Sequence, residues 1–129
     1  MVRIILTLSI IFQIASGCSQ RVAPQNAAAT SEKTVQPEVK AAILKETREG
    51  GKYDFFTPIK GHESDGIQIK PGVYDTKRGL ALYKWGKANY EAGIQSLDEV
   101  YALYSEYKQR PANALEKTYL KMGFNRELE

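Results

Sequence analysis

The sequence predicts a mainly α protein. Residues 37–129 should form one small helical domain: an N-terminal helix, a short β-hairpin or irregular segment, and three antiparallel C-terminal helices. Three observations predict it. Apolar residues recur at helical spacing through the C-terminal third, between the start signals Thr76 and Ser96 and the stop signals Gly93 and Pro111. Pro37 opens a separate helical stretch that ends at Gly50-Gly51. Between the two, Ile67-Gln68-Ile69 alternates as a strand does and runs into a Pro-Gly turn.

The first helix reads PEVKAAILKETRE. Proline suits its first turn, Glu38 sits at the positive end of its dipole, and Val39, Ala42, Ile43 and Glu46 share a narrow face. Tyr53, Phe55, Phe56 and Ile59 then precede the polar loop GHESDG. Lys70-Pro71-Gly72-Val73 has Pro and Gly where a type II turn needs them. A hairpin of this size is marginal alone and must pack on the helices.

Thr76 is placed to cap a helix running to about Ala92, with Gly93 as its stop. That helix is apolar around most of its circumference and should be contacted from more than one side. Ser96-Leu97-Asp98-Glu99 reads as a capping box for the next helix, whose apolar face is Leu97, Val100, Tyr101, Leu103, Tyr104 and Tyr107. The last helix places Leu115, Tyr119 and Met122 on one side, and Gly123-Phe124 reads as a glycine cap.

The segment Leu82-Tyr83-Lys84-Trp85-Gly86-Lys87-Ala88-Asn89-Tyr90-Glu91-Ala92-Gly93 resembles the first helix of a tetratricopeptide repeat, through two glycines seven apart with aromatics before and between them. The second helix departs from that pattern, and the chain holds no second copy, so ordinary helix-pair packing is the expectation.

Residues 1–17 are a leader: Arg3, an apolar run from Ile4 to Ile14, then small residues. The run is shorter than the ~20 residues a bilayer span needs. Ala15-Ser16-Gly17-Cys18 resembles the lipobox of bacterial lipoproteins, with Ala15 where leucine is usual. The resemblance implies a diacylglycerol thioether on Cys18, fatty acylation such as palmitate, and cleavage just before the cysteine. Ala15 and Gly17 also satisfy ordinary signal cleavage, which would leave a protein secreted to the periplasm with a free thiol. Within the lipoprotein family, Ser19 after the cysteine implies the periplasmic face of the outer membrane. Residues 18–36 are small and polar and read as a disordered tether, with a reach of roughly 20–25 Å.

Net charge is +3 in 129 residues. Once Arg3 leaves with the leader, 17 basic residues face 15 acidic ones, too even a balance for a general nucleic-acid binder. Lys77-Arg78, the tightest basic pair, reads as a solvated helix start. One cysteine rules out an internal disulfide. No catalytic, metal or nucleotide signature stands out, so neither catalysis nor a cofactor is expected.

The candidate protein-binding residues are Tyr83, Trp85, Tyr90, Tyr101, Tyr104 and Tyr107, because aromatics of this kind serve both cores and binding hot spots. The leading expectation is an envelope lipoprotein, anchored by lipid, that binds another envelope protein as an assembly or accessory factor. Surface or entry exclusion on behalf of a mobile element is a second reading. A third is a periplasmic enzyme or ligand binder using His62, Glu63 and Asp65 of the polar loop, the one place where histidine meets carboxylates.

Overall fold

In the computed structural model, which describes residues 37–129, α1 spans Pro37–Thr47. The leader, Cys18 and the tether lie outside the described residues. Ile43 and Thr47 are buried and Val39 and Leu44 half-buried, whereas Ala42 faces solvent. The inward stripe is therefore Val39, Ile43 and Thr47, four apart. α1 ends two residues before the Glu49 that the sequence predicts. The cause is a return of the chain: Tyr53 N–H donates to the Glu46 carbonyl at 2.8 Å, and Lys52 N–H to the Glu46 carboxylate at 2.9 Å. Gly50 makes that return possible at φ +80°.

A short 3₁₀ turn at Thr57–Ile59 leads through the polar loop into β1 (Gly66–Lys70) and β2 (Val73–Thr76), an antiparallel pair. The Pro71-Gly72 turn forms as expected, with Gly72 at φ +77°. Burial alternates along both strands, and the hairpin packs on the helix that follows.

α2 (Lys77–Glu91) begins where three of its otherwise unpaired N–H groups find acceptors. Thr76 Oγ1 accepts from Gly79 N–H at 3.0 Å, while the Asp65 and Glu63 carbonyls accept from Lys77 and Arg78 N–H at 2.9 and 3.0 Å. The polar loop thus acts as an extension of the helix cap. α3 spans Leu97–Lys108 and α4 Ala114–Phe124. No helix among the described residues is long and apolar enough to cross a membrane.

α2 packs most extensively on α4. Pairs form early with early (Arg78–Glu116) and late with late (Tyr90–Phe124), so these two helices run in the same sense. Across α3 and α4 the order reverses, from Tyr101–Lys117 to Ser105–Ala112, as an antiparallel hairpin requires. Leu82, Trp85, Ile94, Val100, Leu103, Tyr104 and Leu120 fill the core, and Ile43 closes it from α1. Each aliphatic side chain so buried contributes roughly 1.5–3 kcal/mol. Trp85 and Tyr104 meet edge-on at 5.6 Å, and the indole N–H donates to Thr47 Oγ1 at 3.0 Å.

Three expectations need correction here. Ser96 caps α3 through Asp98 N–H at 3.2 Å, but Glu99 does not complete a capping box; its carboxylate pairs with Lys40 of α1 at 2.8 Å. The reciprocal box lies at α4, between Asn113 and Glu116. The buried face of α4 is Glu116, Leu120 and Gly123, leaving Leu115 61% exposed with Tyr119 and Met122 only half-buried. Gly123 is no cap: it sits inside α4, where its missing side chain lets the Tyr83 carbonyl of α2 touch the helix backbone. Gly86 does the same for the Leu120 carbonyl. The two glycines set the α2–α4 crossing, so Gly86 serves contact with α4.

Alanine at Gly86 or Gly123 gains up to ~1 kcal/mol of helix propensity but must push two backbones apart. Each substitution should lower unfolding free energy by about 1–3 kcal/mol in urea titrations. Gly66→Ala, where a methyl group meets open space, should change it by less than about 0.5 kcal/mol. Equal effects at all three positions would contradict the crossing.

Candidate functional site

Aromatic side chains divide by the helix face that carries them. Trp85 and Tyr104 point from α2 and α3 into the core and are 0% and 1% exposed. Tyr83 is buried too, with its hydroxyl accepting from Leu128 N–H at 3.3 Å. Tyr90, one helical turn past Gly86, is 44% exposed. Its ring meets Phe124 edge-on at 5.4 Å and lies under the Arg126 guanidinium at 5.1 Å. Tyr101 is half-buried beneath the Lys117 ammonium at 5.4 Å. Tyr107, also half-buried, stacks on Phe56 at 5.8 Å beneath Lys108 at 4.8 Å. Burial pushes the Tyr101 and Tyr107 hydroxyls above the ordinary phenol range. The fold brings Tyr104, Tyr107 and Phe56 together, while Tyr90 stands apart with Phe124.

Glu116 is the strongest electrostatic feature of the described residues. It is 1% exposed, in the first turn of α4. Arg110 donates to both its oxygens, at 2.6 and 2.9 Å, and Arg78 donates from α2 at 2.6 Å. Tyr104 OH donates at 3.1 Å and Asn113 N–H at 2.9 Å. Such charge-assisted bonds are the strong ones, and here they outweigh the desolvation of the carboxylate. Hydrogen bonds from Arg110 first, then Asn113, Arg78 and Tyr104, draw its pKa down to about 2.

Beside this hub a cavity of about 430 Å³ opens between the 3₁₀ turn, the polar loop, α2 and α3. Phe56 and Ile59 supply apolar surface, Glu63 and Ser64 come from the loop, and Arg78 and Lys108 bring positive charge. Lys108 also sits 4.8 Å over the Phe56 ring. Burial, reinforced by the charges of Arg78 and Arg110, lowers the pKa of Lys108.

The polar loop brings His62 and Asp65 together at 3.0 Å, and Lys77 reaches the same Asp65 oxygen at 2.9 Å. Hydrogen bonds from Lys77 and then His62 hold the Asp65 carboxyl below its usual range. Backbone N–H groups of Glu63 itself and of Gly61 do the same for Glu63. Glu63 lines the cavity, whereas His62 lies with its side chain 68% exposed. Among the described residues no group of three or more His, Cys, Asp or Glu side chains is placed to hold a metal ion. Cys18 lies outside the described residues.

Sequence reasoning missed Arg78, Lys108, Arg110 and Glu116 as a cluster. Asn113-x-x-Glu116 is itself a capping-box spacing, which was the available signal; nothing local marked the two arginines as its partners. No protein-family model matches the chain, and no curated protein or solved structure matches it either.

Glu116→Gln should destabilise the protein by about 3–4 kcal/mol at pH 7, since its carboxyl is drawn from 4.5 to about 2 and one pKa unit is worth ~1.4 kcal/mol. The folded-state value, about 2, lies below the reference 4.5. The contribution is therefore complete above about pH 4.5 and fades as pH falls through about 2. Denaturant unfolding from pH 7 to 2 should show a steeper acid loss in the unsubstituted protein than in the variant. Parallel curves would contradict the assignment.

Proposed function

We propose that the chain is a lipid-anchored envelope protein that acts by binding another protein, as an assembly or accessory factor at the periplasmic face of the outer membrane. One observation carries the reading: the chain's one cysteine follows Ala15-Ser16-Gly17 directly, at the end of an apolar run too short to span a bilayer. An extracytoplasmic protein has little use for an unpaired thiol, and acylation gives it one. A single acyl chain holds a protein marginally, whereas two or more hold it stably. Ser19 supports the outer-membrane destination.

The domain supports the binding half. Of the six candidate aromatics, Tyr90, Tyr101 and Tyr107 keep part of their rings at the surface, each under a cation from Arg126, Lys117 or Lys108. A rigid ring beside a charged group offers both apolar area and polar contact, the composition of interface anchors. Trp85 and Tyr104 contribute to binding only by holding the helices that present these rings.

Two measurements test the two halves. Cys18→Ala should move the protein from the membrane fraction to the soluble periplasm and abolish palmitate incorporation; continued labelling of the variant would sink the anchor. Photo-crosslinking residues placed singly at Tyr90, Tyr101 and Tyr107 should give a covalent adduct in intact cells from at least one of the three positions. A crosslinker at Leu115, on the exposed side of α4, serves as the control. Adducts from Leu115 with none from the three tyrosines would move the interface away from the aromatic surface.

A further inference from the structure

The cavity beside Glu116 is unbalanced in charge. Arg78, Lys108 and Arg110 gather around one buried carboxylate, so the cluster keeps two positive charges, and Glu63 on the cavity wall offsets one of them. Arg78 spends one N–H on Glu116 and retains other donors of its fork, with its side chain 46% exposed. Lys108 rests over the rings of Phe56 and Tyr107, and among the described residues no carboxylate lies within ion-pair distance of it. Its ammonium is thus partly desolvated and held by aromatic faces alone, an arrangement that an incoming anion would relieve.

We infer that this cavity binds a carboxylate that carries a neighbouring N–H donor, the chemistry of a peptide C terminus or of a free amino acid. Arg78 and Lys108 take the carboxylate, and Glu63 and Ser64 face the N–H side. Phe56 and Ile59 receive an apolar side chain. A phosphate dianion fits less well, because only one positive charge is left over and Glu63 would repel the second negative charge. Backbone N–H groups at the start of α2 do not contribute, since Asp65, Glu63 and Thr76 already occupy them. At about 430 Å³ the space lies within the range of small-ligand sites. The inference is independent of the lipid anchor, and the Cys18→Ala chain should bind as the acylated chain does.

Titration calorimetry of the full chain with four probes decides it: the tripeptide Ala-Ala-Leu, its C-terminal amide, free leucine, and inorganic phosphate. The tripeptide should bind at least tenfold more tightly than its amide. Lys108→Met should weaken it at least tenfold, while Lys108→Arg, which keeps the charge, should bind within about threefold of the original. Lys121→Met, on the exposed side of α4 and outside the cavity, should bind unchanged. Free leucine matching the tripeptide would assign the site to amino acids; a tripeptide preference would assign it to peptide ends. Equal binding of the amide, tighter binding of phosphate, or indifference of a folded Lys108→Met variant would each overturn the inference.

Discussion

A carboxylate that must stay ionised inside the protein constrains everything built around it. Glu116 joins four parts of the chain at one point: the start of α2 through Arg78, the middle of α3 through Tyr104, the α3–α4 connection through Arg110, and its own helix start through Asn113. Burying a charge costs several kcal/mol unless hydrogen bonds and opposite charge restore what water gave. Each donor therefore has to arrive in place, and the helices that carry them are fixed relative to one another. A small domain has few other means of doing this, because its apolar core is limited by its size. The glycine crossing works alongside it. With Gly86 and Gly123 letting α2 and α4 touch, Arg78 comes close enough to reach across from one helix to the other.

The sequence revealed those features whose causes are local. Thr76, Ser96 and Gly93 mark helix ends because capping acts over three or four residues, and Pro71-Gly72 marks a turn because its backbone demands are its own. The mainly helical architecture and the hairpin were legible for that reason. Features with distant causes were not. Gly123 reads as a helix stop until Tyr83, forty residues earlier, is seen packed against it. Glu116 carries no local sign of its ionic partner, because Arg78 lies 38 positions away. The shift of the α4 face from Leu115 to Glu116 follows from the same fact, since four donor residues hold the carboxylate inward while Leu115 stays 61% exposed.

The aromatic residues show how one residue type is divided between two tasks. Helical periodicity sends Trp85 and Tyr104 inward, where each also finds a hydrogen-bond partner for its polar atom. The same periodicity leaves Tyr90, Tyr101 and Tyr107 at the surface under cations. In the sequence all of them form one set, because spacing alone does not say which neighbouring helix covers which face. The polar loop adds a structural task, since the backbone carbonyls of Glu63 and Asp65 cap α2.

The arrangement of the helices depends on Glu116 being a charged group held by its partners. Carbon-13 NMR of the glutamate side-chain carboxyl, followed through an acid titration of the folded protein, reads that property at the atom concerned. A midpoint at about 2 is the expected result. A midpoint near the ordinary 4.5 would mean that the two arginines do not hold it, and the arrangement of helices described above would lose its anchor.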